Sequence, residues 1–118
     1  MHDETRAPLR FGIAGAGAIA RRFCRDVNGH ARGAEVVAIA ARDQGRADEF
    51  ARDLGLPHAY GSYEALAASP EVEAVYVAVI HPEHAGLVRQ MLLAGKHVLV
   101  EKPAVTRVAV SYTHLRAH

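Results

Sequence analysis

A glycine-rich turn near the amino end of the chain has the spacing that phosphate recognition requires. Gly15, Gly17 and Ala20 form the pattern Gly-x-Gly-x-x-Ala, after an apolar run and at the start of a helical pattern. There, the first glycine permits a tight turn, the second lets a pyrophosphate approach the backbone, and the alanine allows close helix–strand packing. The helix also offers free N–H groups and a partial positive charge. The pattern predicts dinucleotide binding by the turn residues Gly15, Ala16, Gly17, Ala18, Ile19 and Ala20. A plain tight turn is the alternative.

The residues after the second predicted strand indicate which dinucleotide to expect. A site that prefers NAD usually has an acidic residue at this strand end, where the present chain has Ala41. Arg42 follows, and its guanidinium suits a 2′-phosphate, which favours NADP. NAD stays the alternative cofactor if Asp43 accepts the ribose 2′-hydroxyl. The alternative for Arg42 is a solvent-exposed loop residue. Arg46 is either an assisting phosphate ligand or a solvent-facing side chain.

A Glu-Lys-Pro triplet follows the last predicted strand, at residues 101–103. A lysine beside a nicotinamide can orient a substrate hydroxyl, polarise its C–O bond and relay a proton, which makes Lys102 the candidate catalytic residue. Glu101 can hold the lysine in position, and Pro103 can fix the geometry of the turn. The alternative is a surface Lys–Glu pair with little energetic effect.

Strand-like and helix-like patterns alternate along the chain and provide the elements that position these residues. Apolar runs typical of strands cover residues 9–14, 35–41, 59–60, 73–80 and 97–100, and helical spacing covers residues 16–27, 44–54, 63–68 and 82–94. The alternation predicts an α/β fold: a single domain with a Rossmann-type doubly wound parallel sheet, a three-layer sandwich of strand order 3-2-1-4-5. Ligands of such sheets bind beyond the carboxyl ends of the strands, where the glycine turn, Arg42, His81 and Lys102 all lie.

Length and composition fit one globular domain and exclude several classes of protein. The chain has 118 residues, of which 50% are hydrophobic and 23% charged. A net charge of +1 is too small for the electrostatic footprint of a nucleic-acid binder. One cysteine excludes a disulfide scaffold, and the scattered histidines argue against a metal site. Without a long apolar segment or a signal-peptide pattern, we expect a cytoplasmic protein with no membrane partner.

Two segments of the chain resemble the Gfo/Idh/MocA family of oxidoreductases. Residues 11–20, Phe-Gly-Ile-Ala-Gly-Ala-Gly-Ala-Ile-Ala, are similar to the family's glycine-rich turn. Residues 95–103, Gly-Lys-His-Val-Leu-Val-Glu-Lys-Pro, are similar to its Glu-Lys-Pro strand end. Residues 36–63 and 80–84 are similar to the branch of dihydrodiol and NADP-dependent D-xylose dehydrogenases. The resemblance covers about Leu9 to Pro103.

The resemblance implies roles for individual residues. It implies that Arg42 meets the 2′-phosphate and that Lys102 takes part in catalysis. It further implies that His81 and His84 lie near the cofactor, although His84 on its own also suits a role in helix packing. The resulting cofactor-binding set adds strand-end residues to the glycine turn: Ala41, Arg42, Val79, Ile80, His81, His84, Glu101, Lys102 and Pro103.

The predicted function is that of an oxidoreductase that transfers a hydride between NADP, or alternatively NAD, and a hydroxyl of a sugar, polyol or diol. The family continues with a second domain that supplies the substrate pocket and usually the dimer surface, so the whole enzyme is expected to be a homo-oligomer. We predict a polar tail at residues 1–8, the dinucleotide-binding domain at 9–103, and an atypical tail at 104–118 that marks a truncated or mis-assembled end. A non-catalytic dinucleotide-sensing module and a non-functional gene fragment are the alternatives.

Overall fold

Strands and helices alternate through the computed structural model, which describes residues 7–79, 81–101 and 106–108, with the backbone alone described at 81, 101 and 106–108. The strands are β1 (Leu9–Ala14), β2 (Ala34–Ala40), β3 (His58–Tyr60), β4 (Ala74–Val77), β5 (His97–Glu101) and β6 (Thr106–Val108). The helices are α1 (Ala18–His30), α2 (Gln44–Leu54), α3 (Tyr63–Ala67) and α4 (His81–Leu93). No helix in this described part of the chain is both long enough and apolar enough to cross a membrane.

The described strands form one sheet in the order β3-β2-β1-β4-β5-β6. The first five are parallel to one another, which confirms the doubly wound sheet and its order 3-2-1-4-5. Strand β6 pairs with β5 in the antiparallel direction. The sequence predicts no strand after residue 100, so β6 is a correction to the prediction. A strand of three residues is too short for alternation of side chains to reveal it.

Helices cover both faces of the sheet, because successive side chains of a strand point to opposite faces. On one face, Ile13, Ile39 and Tyr76 form a fully buried cluster with residues of α1 and α2. On the other face, Ala14, Val75 and their neighbours pack with residues of α3 and α4. This arrangement confirms the predicted three layers. All four residues of β4 are buried, as expected for a central strand of a parallel sheet.

The end of α1 differs from the sequence prediction, which ends this helical pattern at residue 27. The helix continues to His30, and the Asn28 side chain bonds to the neighbouring strand as well as to the Cys24 thiol one turn earlier. Its Oδ1 accepts a hydrogen bond from the Val36 N–H at 2.8 Å, and its Nδ2 donates to the Val36 carbonyl at 3.3 Å. Asn28 therefore fastens α1 to β2.

Lys96 connects the turn before β5 to the loop before β4. Its Nζ donates to the carbonyl oxygens of Ser69 and Val72, each at 2.6 Å. Burial lowers the pKa of Lys96, while the nearby carboxylate of Glu73 opposes that change. These two bonds hold the start of β5, the strand whose other end carries the Glu-Lys-Pro triplet.

Replacing Lys96 with methionine is expected to lower the free energy of unfolding by about 1–3 kcal/mol, because two carbonyl groups lose a charged donor. Urea denaturation of the two chains measures the difference. Arg89→Met, which removes an exposed cation from α4, is the matched control and should change stability by less than about 0.5 kcal/mol. Equal effects of the two substitutions would show that the Lys96 bonds contribute nothing.

Candidate functional site

Three loops meet at the edge of the sheet where the parallel strands end. The Gly15 N–H donates to the Ala40 carbonyl at 2.9 Å, so the turn after β1 touches the end of β2. The Ala78 N–H donates to the Ala14 carbonyl at 2.8 Å, which brings the loop after β4 to the same place. The glycine turn, residues 41–43 and residues 78–79 therefore form one continuous edge. We call it the carboxyl edge.

The turn after β1 requires glycine at position 15. Gly15 has a φ of +110°, a region that side chains other than glycine rarely enter. A Cβ placed there would lie 2.8 Å from the Ala78 carbonyl oxygen and 3.1 Å from a Val79 methyl group. A backbone oxygen cannot move aside as a flexible side chain can. Position 15 is thus occupied by glycine for reasons internal to the fold.

Position 17 differs, because nothing in the described structure explains a glycine there. Gly17 is the N-cap of α1 with a φ of −99°, which any residue adopts. A Cβ added at Gly17 would have no described heavy atom within 4 Å. None of the described side chains caps the helix, so the N–H groups of its first turn have no side-chain acceptor among the described residues. Beside them Ile19 is 60% exposed, whereas Ala20 is fully buried against the sheet.

The loop after β2 carries an exposed guanidinium beside a buried alanine. Ala41 is only 5% exposed, so the position that is acidic in NAD-preferring sites lies within the core. The Arg42 side chain is 68% exposed and forms an ion pair with Glu83, in the first turn of α4. Asp43 caps α2, because its Oδ1 accepts from the Gly45 N–H at 3.1 Å. That cap accounts for an aspartate at position 43 without any ligand.

Tyr63, the first residue of α3, lies among the charges of this loop. Burial raises the pKa of Tyr63, and the negative charge of Glu83 raises it further. The positive charges of Arg42 and Arg46 act in the opposite direction. The sequence prediction did not identify Tyr63 or Glu83 as part of the site. An acidic residue in the first turn of a helix after a parallel strand is the signal that points to Glu83.

The remaining predicted site residues follow β4 and β5. Val79 is half-buried against the core and His84 half-buried in the first turn of α4. His81 begins α4 and Glu101 ends β5, with only their backbones described. Ile80, Lys102 and Pro103 lie outside the described residues. Among the residues that the structure describes, no three His, Cys, Asp or Glu side chains are arranged to hold a metal ion.

Comparison with known proteins assigns this architecture to a family. The model of an oxidoreductase family with an NAD-binding Rossmann fold, Gfo/Idh/MocA, matches residues 9–117. The chain belongs to the Gfo/Idh/MocA oxidoreductase family. Membership confirms the resemblance that the glycine turn and the Glu-Lys-Pro triplet indicate. Because the match extends past residue 103, the predicted domain boundary there stays a prediction.

Relatives of known activity are dehydrogenases and reductases. The chain is 50% identical over 96 residues to mouse trans-1,2-dihydrobenzene-1,2-diol dehydrogenase, covering 80% of this chain and 29% of the relative. The human enzyme of the same name is 46% identical over 102 residues, which cover 86% of this chain and 30% of the relative. The chain thus spans about 30% of the length of the curated relatives it matches.

Two solved structures share the fold and some of the sequence. KijD10, a 3-ketoreductase from Actinomadura kijaniata solved with TDP-benzene and NADP, is 38% identical, with a TM-score of 0.74. The match covers 83% of this chain and 31% of KijD10. The myo-inositol dehydrogenase of Lactobacillus casei, solved with NAD(H) and myo-inositol, is 28% identical, with a TM-score of 0.75 and coverage of 83% and 29%.

Proposed function

We propose that this chain binds NADP at its carboxyl edge and forms the cofactor-binding part of an oxidoreductase. The observation that carries the proposal is the open position at Gly17. A Cβ there would meet no described heavy atom within 4 Å, yet it would occupy space in front of the end of α1, which no described side chain caps. A pyrophosphate fits this space, since the helix end offers N–H donors and a partial positive charge.

Gly15, Gly17 and Ala20 have different roles in the proposed binding of the dinucleotide. Gly15 sets the path of the turn, Gly17 leaves room for the phosphates, and Ala20 lets α1 lie against the sheet. Ala16, Ala18 and Ile19 complete the turn residues that we propose to contact the cofactor. When bound, the nicotinamide supplies or accepts the hydride.

The preference for NADP rests on Arg42. An exposed guanidinium recognises a phosphate through paired N–H donors, and no carboxylate stands at the buried position 41 to accept a ribose hydroxyl. The capping role of Asp43 weakens the alternative in which that residue selects NAD. A relative solved with NADP supports the proposal, and one solved with NAD(H) keeps NAD as the alternative cofactor.

Replacing Arg42 with alanine is expected to weaken NADPH binding by about 10-fold to 100-fold, because a charge-assisted contact to the 2′-phosphate is lost. NADH has no such phosphate, so its affinity should change by less than about 2-fold. Isothermal titration of each dinucleotide into the 118-residue chain measures both affinities.

Arg52→Ala is the matched control, since it removes a cation from the last turn of α2, away from the carboxyl edge. It should leave both affinities unchanged. Tighter binding of NADH than NADPH by the unaltered chain would refute the assignment to NADP. Equal losses for both dinucleotides in Arg42→Ala would show that Arg42 does not read the 2′-phosphate.

We further propose that Lys102 moves a proton at the alcohol oxygen of the substrate. Strand β5 ends at Glu101 on the carboxyl edge, and Lys102 comes directly after it. Glu101 and Pro103 would hold the lysine, with Val79, Ile80, His81 and His84 contributing cofactor contacts from the loop after β4. The relatives favour a diol, sugar or polyol as the substrate of the whole enzyme. Its homo-oligomeric state and cytoplasmic location stay predictions.

A further inference from the structure

The guanidinium that we assign to the 2′-phosphate already has an anionic partner. Arg42 and Glu83 form an ion pair, with the Arg42 side chain 68% exposed and the Glu83 side chain 31% exposed. Among the described residues, this pair joins the loop after β2 to the first turn of α4, which follows β4. Because β1 lies between β2 and β4 in the sheet, the pair links the two sides of the glycine turn.

Resting on the proposed function, we propose that Glu83 is a specificity-determining residue whose carboxylate occupies Arg42 until a 2′-phosphate displaces it. Carboxylate and phosphate oxygens use the same fork of guanidinium N–H groups. A 2′-phosphate that engages Arg42 must therefore break or share the pair with Glu83. The 2′-phosphate would also lie close to the negative charge of the Glu83 carboxylate, which repels it. NADH makes neither demand, since its ribose hydroxyl is neutral.

Both electrostatic effects act in the same direction. The lost ion pair and the repulsion between Glu83 and the phosphate each lower the affinity for NADP relative to NAD. The charge of Glu83 raises the pKa of Tyr63 and the charge of Arg42 lowers it, so both charges lie on the α3 side of the site. Glu83 thus narrows the preference for NADP that Arg42 creates.

Glu83→Gln removes the charge and keeps the shape of the side chain. It is expected to raise the affinity for NADPH by about 3-fold to 10-fold, since an exposed ion pair is weak and the added repulsion is partly screened. The affinity for NADH should change by less than about 2-fold. Isothermal titration with both dinucleotides, at low and at physiological salt, measures the ratio of NADPH affinity to NADH affinity. As salt rises, this affinity ratio in Glu83→Gln should fall towards that of the unaltered chain.

Two further variants test whether the change in NADPH affinity comes from Glu83 beside Arg42 or only from the change in net charge. Glu35→Gln makes the same change of charge on an exposed residue near the amino end of β2, at the opposite edge of the sheet. Glu35→Gln should leave the ratio of NADPH affinity to NADH affinity unchanged. In the double variant Arg42→Ala/Glu83→Gln, the loss of Glu83 should give no more than a residual gain over Arg42→Ala alone, because the phosphate then has no guanidinium to contend for.

The outcomes distinguish this inference from the proposed function. An unaltered chain that binds neither dinucleotide would overturn the proposed function, and the inference with it. Binding of NADPH by the unaltered chain, with no rise in Glu83→Gln, would overturn the inference and leave the proposed function intact. So would a rise of equal size in Glu35→Gln, since the effect would then be one of net charge.

Discussion

Gly17→Ala is expected to weaken the binding of NADPH and NADH by about 10-fold or more while leaving the fold intact. A Cβ at this position has no described neighbour within 4 Å, and the backbone φ of −99° suits alanine. Alanine is less favourable than glycine at an N-cap, so the free energy of unfolding should fall, but by no more than about 1 kcal/mol. Only a ligand in front of α1 would meet the new methyl group, and charge-assisted bonds from the helix end to the pyrophosphate would lengthen.

Gly29→Ala is the matched control for Gly17→Ala, because it makes the same substitution on the same helix. A Cβ at Gly29 would also meet no described heavy atom within 4 Å. Its place inside α1 favours alanine, which should raise the free energy of unfolding by about 0.5–1 kcal/mol. Its affinity for both dinucleotides should be unchanged. Normal binding by Gly17→Ala would contradict the assignment of the phosphate site.

Gly15→Ala, in contrast to Gly17→Ala, should destabilise the fold. We expect a loss of about 2–4 kcal/mol in the free energy of unfolding. Strain at a φ of +110° contributes part of the loss, and a Cβ 2.8 Å from the Ala78 carbonyl oxygen contributes the rest. Urea denaturation, followed by far-ultraviolet circular dichroism, measures the change.

Gly33→Ala separates the two causes at Gly15. Gly33 has a φ of +80°, but in the described part of the chain a Cβ there would have no heavy atom within 4 Å. It should therefore lose only about 1–2 kcal/mol, the cost of the left-handed conformation alone. If Gly15→Ala is no more destabilising than Gly33→Ala, the contact with Ala78 has no energetic consequence.

The sequence predicts the layers of this fold well, because buried parallel strands have a visible signature. Strand β4, an apolar run buried throughout, stands out from its surroundings. Boundaries are less predictable, since they depend on contacts between distant elements. Helix α1 continues to His30, past the predicted end at residue 27, and its Asn28 side chain bonds to Val36 of the neighbouring strand. Strand β6 depends on pairing with β5 rather than on a pattern of its own.

The same distinction applies to the candidate site. The glycine turn is a local pattern, so the sequence alone indicates it and separates the roles of Gly15 and Gly17. Arg42 can be predicted as a site residue because it directly follows a strand. Its partner cannot be predicted, because Glu83 lies on α4, far along the chain, and only the folded sheet brings the two together. The cap formed by Asp43 is local and therefore predictable from its place before α2.

Amide chemical shifts of the ¹⁵N-labelled chain, recorded while NADPH is added, test the central claim most directly. We expect the shifts to change at the carboxyl edge, in residues 15–20, 41–42 and 78–79. The chemical shifts of amides at the opposite edge, such as those of Gly33 and Gly55, should not change. Changes confined to that opposite edge, or no change at saturating NADPH, would contradict the assignment of a dinucleotide site to the carboxyl edge.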